Sequence, residues 1–267
     1  MVDATAVSAA NCTEWKMRAF LFFRLMLMAI RSSFGTGGAF AFRALMMFLN
    51  NGVFFVIWLI LFSQVPSFNG WTLDDMLLLF GYGAIAFGSG GIVAGGFARI
   101  PEMIRTGEMT ALLLRPRAPL GLVLTSRSDS FGWGDIVSGV IMIALSGRLD
   151  FTGWLLLIPV TAVTTLVVTS AGVVFFSLAF WLKRGEEAAY RLFDMVISFS
   201  LYPEAIFPLG VRFLFYSVLP AGLITFLPVR VLGEHALDAW LYVCAGALSW
   251  ALFAVMIFHL GLKRLTR

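Results

Sequence analysis

The side chains best equipped for chemistry lie in one stretch, Arg99-Ile-Pro-Glu-Met-Ile-Arg-Thr-Gly-Glu-Met-Thr-Ala-Leu-Leu-Leu-Arg-Pro-Arg-Ala-Pro119. Arg99, Arg105, Arg115 and Arg117 stand here against Glu102 and Glu108, in a chain that is 60% hydrophobic and 13% charged. Charge gathered between long apolar stretches suits docking rather than bond breaking. At the end of a membrane hairpin it either takes up force from a separate protein or anchors to anionic headgroups. A smaller charged loop, Lys183-Arg-Gly-Glu-Glu187, invites the same two readings.

Signs of bond-breaking chemistry are missing. The sequence contains no GxxxxGK[ST] cradle for nucleotide phosphates, no HExxH and no GxSxG. His235 and His259 fall near opposite ends of one apolar run and read as interfacial side chains rather than metal ligands. Cys12 and Cys244 lie too far apart in sequence to suggest a disulfide framework or a metal site. Gly81-Tyr-Gly83-Ala-Ile-Ala86 superficially matches a dinucleotide fingerprint, but that motif needs a preceding strand within a soluble βαβ unit. Helix packing explains these glycines better. The chain is expected to carry no catalytic residue, no metal and no cofactor.

The elements that must position the arginine loop are membrane helices. A mean hydropathy of +0.92 and 27 phenylalanines lie far outside the soluble range. Crossing the hydrocarbon takes about 20 helical residues at roughly 1.5 Å each, and several apolar runs reach that length. The expected spans are 44–63, 76–98, 120–146, 151–182, 188–207 and 239–262. Residues 99–119 form the arginine loop, and the whole chain, 1–267, is one transmembrane domain. The stretch 76–98 is glycine-rich, and Gly91 with Gly95 forms a GxxxG pair suited to close helix approach. Residues 15–31 place Lys16, Arg24 and Arg31 on one narrow stripe of a helix, opposite a broad Phe/Leu/Met face. That pattern suits a helix lying in the membrane surface, the alternative being a first span with snorkelling arginines. The first fourteen residues carry no positive n-region, so no cleaved signal peptide is expected.

Parity fixes the reading of 211–229. If this proline-bearing segment dips in and returns, both termini and every Lys and Arg except Arg148, Arg212 and Arg230 share one side, as cytoplasmic loops should. Protein-covered re-entrant backbone is tolerated at membrane depth. The net charge of +4 then reflects topology rather than nucleic-acid binding.

The segment Ile104-Arg-Thr-Gly107-Glu108-Met-Thr-Ala-Leu112-Leu-Leu-Arg115-Pro116 is similar to a stretch found after the second span in the membrane subunits of bacterial type-2 ATP-binding-cassette (ABC) transporters. Tyr202-Pro203-x-x-Ile206-Phe207-Pro208, Leu219-Pro220 and Phe226-Leu227-Pro228 follow in that family's order. The resemblance covers most of the chain. It implies an all-α integral membrane fold of the type-2 ABC exporter permease kind: an N-terminal interfacial helix, six transmembrane helices and a re-entrant helical hairpin before the last. It also implies a separate ABC ATPase subunit carrying ATP and Mg, and a second permease subunit, identical or related. On that reading Ile100, Met103 and Ile104 insert into a groove on the ATPase, while Arg105 and Glu108 give polar registration and Arg115 closes the motif. Asn50, Asn51, Tyr82, Ser198 and Tyr202 are the polar candidates for a translocation path, each of which also reads as an ordinary interhelical hydrogen-bonding residue. Asp129 and Asp135 would suit a cationic substrate or pair with Arg127 or a donor on another helix. Outward transport of hydrophobic or amphipathic compounds across a bacterial inner membrane is the expected function. The rival is a membrane scaffold that moves no solute.

Overall fold

Apolar runs bounded by turn chemistry become helices throughout the computed structural model, which describes residues 20–35, 37–114 and 118–265. Cys12, Lys16, Arg18, Arg115 and Arg117 lie outside the described residues. The helices are α1 (20–34), α2 (Gly38–Gln64), α3 (Leu73–Ala94), α4 (Ile100–Thr106), α5 (Glu108–Leu113), α6 (Pro119–Leu124), α7 (Phe131–Ser146), α8 (Phe151–Phe176), α9 (Gly185–Ser200), α10 (Leu209–Ser217), α11 (Leu227–Glu234) and α12 (Leu237–Leu265). Short 3-10 turns extend α3 through Gly95–Arg99 and α8 through Ser177–Phe180, and a π-helical turn, Gly222–Phe226, precedes α11.

Among the described residues, four helical stretches are long and apolar enough to cross a membrane: Gly38–Gln64, Leu73–Thr106, Phe151–Phe180 and Leu237–Leu265. A fifth candidate is the pair Leu209–Ser217 and Gly222–Glu234, bent by 79°. Two expected spans differ from this pattern. The stretch 120–146 divides into α6, which ends at Leu124, and α7, at whose start the Asp129 carboxylate accepts the Phe131 backbone N–H at 3.1 Å. The stretch 188–207 ends its helix at Ser200, ahead of Pro203. Both α7 and α9 have 16 residues, about 24 Å of helix against roughly 30 Å of hydrocarbon.

The turns are built from residues that fit them. Asn69 and Gly70 take positive φ values of 50° and 83°, and Phe68 and Trp71 exchange both backbone hydrogen bonds at 2.9 Å. This is the tight Asn-Gly reversal that β-hairpins use, here joining α2 to α3. Thr72 and Asp75 then cap α3 reciprocally. The Arg148 guanidinium reaches across from the α7–α8 turn to Asp75 at 2.9 Å and to the Thr72 hydroxyl at 2.9 Å. Asp150 caps α8 by accepting the Gly153 N–H at 2.7 Å.

Helices α3 and α8 form the centre, with α12, α7 and the π-helical turn against them. The close approach of α3 runs along Gly81 and Gly88, not the Gly91–Gly95 pair. A Cβ at Gly81 would sit 2.8 Å from the Gly139 carbonyl, and one at Gly88 would sit 2.7 Å from the Gly132 carbonyl. Small residues let two backbones meet where no hydrophobic force separates helix from lipid. Gly91 and Gly95 instead accommodate the loop before α7, and the Asp129 N–H donates to the Gly91 carbonyl at 2.9 Å.

Candidate functional site

A cavity of about 430 Å³ opens between α2, α3, α7 and α9. Of the five polar path candidates, Asn50, Asn51 and Ser198 line it. Tyr82 does not: it is fully buried on another side of α3, donating to the Thr164 hydroxyl at 2.7 Å, while that hydroxyl donates to the Val160 carbonyl. Tyr202 sits beyond the cavity, its ring edge-on to Trp58 at 5.9 Å.

The polar lining is acidic. Asp129, Asp135 and Asp194 face the cavity, and among the described residues no Lys or Arg lines it. Asn51 donates from Nδ2 to Asp135 Oδ1 and to Ser138 Oγ, both at 2.8 Å, and Ser138 donates to the Asp135 carbonyl at 3.1 Å. Asp135 therefore has a donor on another helix, one of the two roles the sequence allowed. Asp129 spends one oxygen capping α7. Around these carboxylates stand Phe54, Phe80, Phe87, Phe97 and Phe193. Asp194 was legible only as a charge inside an apolar run; its place three residues from Ile197 and four from Ser198 was the available signal, since i and i+4 share a helix face. Chemically, carboxylates beside aromatic faces attract an organic cation twice over, by charge and by the ring quadrupole.

The arginine loop folds as a second site, a hairpin of α4 and α5 turned at Gly107. That glycine has φ 77°, in the left-handed region where any side chain would be strained, although nothing lies within 4 Å of a Cβ placed there. Here the sequence expectation needs correcting. Ile100 and Met103 are buried, and with Met109 and Leu112 they belong to the central core beside the end of α8. They are unavailable to a partner groove in this conformation. Ile104 is half-buried against the same core. Glu108 is held by Arg99, whose guanidinium reaches Glu108 at 3.0 Å and Glu102 at 3.6 Å, so its polar contact lies within the hairpin. Arg105 is exposed as expected. The rest of the exposed rim is Glu102, Thr106, Thr110, Ala111 and Leu114, the last 86% exposed.

The histidines have ordinary surroundings. His235 Nε2 lies 3.1 Å from Asp150 Oδ1, and His259 Nδ1 donates to the Val255 carbonyl at 2.7 Å. Among the described residues no group of three or more His, Cys, Asp or Glu is arranged to hold a metal ion.

Four apolar helices of membrane-crossing length among the described residues mark a multi-pass membrane protein. A family model for the ABC-2 family of transporter proteins matches residues 48–267, and the chain belongs to that family, as a type-2 ABC transporter permease subunit. Comparisons with curated proteins and with solved structures returned no match.

Proposed function

We propose that this chain is the membrane half of an exporter whose energy comes from a separate ABC ATPase subunit, which binds ATP and Mg. The supporting observation is the construction of the α4–α5 hairpin: its inner face is locked into the core through Ile100, Met103, Met109 and Leu112, while its rim stays exposed. A lever of this kind transmits a push because it cannot deform without breaking core packing. The contact residues on this reading are Arg105, Glu102, Thr106 and Leu114, with Arg99–Glu108 stiffening the hairpin.

The exported compounds are hydrophobic or amphipathic cations, in keeping with Asp129, Asp135 and Asp194 among phenylalanines. The chain works in a bacterial inner membrane, paired with a second permease subunit, identical or related, with both termini cytoplasmic. It crosses six times. On this reading α7 and α9 serve as short spans covered by protein, α10 and α11 form a re-entrant pair, and α1 lies in the membrane surface.

Co-expression with candidate ATPase subunits tests the proposal. Stable co-purification is expected, with ATPase coupling lost in a double variant, Arg105→Ala with Leu114→Ala, that retains the wild-type melting profile. A chain that associates with no ATPase and moves no solute in vesicles would be the scaffold instead.

A further inference from the structure

Beyond the acidic cavity, along the same seam, lies a second cavity of about 380 Å³ whose walls are wholly apolar or aromatic. The two share their helices in order. On α2 the first is lined by Asn50, Asn51 and Phe54, and the second, starting one turn later, by Trp58, Leu61 and Phe62. On α3 the sequence runs from Ala84 and Phe80 to Met76. At the end of α9 adjacent residues divide between them, Leu201 facing the first and Tyr202 the second. Where the two linings adjoin, Phe54 packs against Phe80 at 5.5 Å beside Leu201 in the first, and Trp58 against Tyr202 at 5.9 Å in the second. The far wall is Phe68 and Trp71, held side by side by the Asn69-Gly70 reversal.

We infer that these cavities are two compartments of one substrate track, the inner reading positive charge and the outer an aromatic body, with Trp58 and Tyr202 setting the preference for aromatic cations. The inference rests on the proposed export of amphipathic cations and adds what the transported body must look like. A lipid tail would also enter an apolar chamber, but continuity along three helices with a carboxylate-lined cavity favours an occupant bearing both a charge and flat apolar groups. Trp58 and Tyr202 present two ring faces and edges at the point where such a molecule would pass, and a cation within about 6 Å of an indole face is attracted to it.

The test measures equilibrium binding to the purified full chain in lipid nanodiscs with three probes. Tetraphenylphosphonium carries charge and rings, tetraethylammonium carries charge alone, and tetraphenylborate has nearly the phosphonium shape with opposite charge. Wild type should prefer the phosphonium to both others. Trp58→Ala and Tyr202→Ala should each weaken phosphonium binding by about tenfold and leave tetraethylammonium within about twofold. Asp194→Asn should weaken both cations and narrow the discrimination against the borate. Trp58→Phe keeps a ring in place and guards against simple misfolding: it should recover most of the lost affinity. Equal loss for both cations in Trp58→Ala, or unchanged phosphonium binding in both aromatic variants, overturns the two-compartment track. The latter result combined with a melting temperature that follows lipid chain length would assign the outer chamber to an acyl tail. Binding with the expected pattern but no ATP-driven export would keep the track and remove the transport proposal.

Discussion

Helices α2 and α3 are neighbours of comparable length and apolar character, yet they meet opposite surroundings. Among the described residues of α2 only Asn51 is buried, whereas most of α3 is, from Met76 to Ala94. Hydropathy marks both as membrane-length without saying which meets lipid and which meets protein. The distinction comes from small residues. On α3, Gly81 and Gly88 sit where a Cβ would strike a neighbouring backbone, while Gly52 of α2 has nothing within 4 Å of that position. A helix at the outside of the chain needs only apolar bulk; a central one needs gaps at the right turns.

The largest expected effect follows directly. Gly88→Leu would drive a side chain into the backbone of α7, at a cost of about 3 kcal/mol or more, so the variant should fail to yield monodisperse protein in detergent. Gly52→Leu should elute and melt like wild type. Equal behaviour of the two would break the contrast. Next comes Asn51→Leu, which strips Asp135 and Ser138 of their donor and should cost about 1–2 kcal/mol, read as a lowered melting temperature. Asn50→Leu, one residue along and exposed, should melt normally while altering cation binding.

Two smaller effects sharpen the same division between structural and available side chains. Arg99→Ala loses the contacts to Glu102 and Glu108, and partial exposure limits the cost to under about 1 kcal/mol. Arg105→Ala should leave stability untouched and lower ATPase-coupled transport. Smallest is a pH effect at the opposite end of the helices. The Gly153 N–H, with His235 nearby, holds the Asp150 carboxyl below its ordinary value of 3.8. Its contribution is therefore present above that value and is lost as the pH falls through the lowered one. Acid melting curves of Asp150→Asn should lack this slope.

Much of the architecture could be read from the chain itself. Apolar runs located the long helices, and the charged stretch 99–119 marked a loop after the second of them, though not its division into two short helices at Gly107. What could not be read was the direction in which short helices face. In a seven-residue helix, Ile100 and Met103 make one apolar stripe, and a stripe looks the same whether it meets its own core or a partner's groove. Here the core won. The Asn51–Asp135 pair spans 84 positions and joins two helices, so no local pattern reveals it. The break before α7 was hidden because 120–146 is apolar on average; α6 ends at Leu124, residues 125–130 turn back against Gly91, and the Asp129 carboxylate accepts the Phe131 N–H as the next helix begins. Among path candidates, Asn50, Asn51 and Ser198 share a cavity because helices α2 and α9 flank it, while Tyr82 was drawn away by a hydroxyl partner on α8.

Arg148 gives the molecule a seam that stays shut. By tying the corner between α7 and α8 to the cap of α3, it staples three helices at one end, and the glycine contacts weld two of them along their length. Those three behave as a fixed post. Helix α2 is joined to that post at two levels, by the Asn51 amide on Asp135 and by the close passage of its Ala44 carbonyl over Gly134 of α7, so freedom in the walls of the chambers falls to α9, which ends in a turn rather than a clasp.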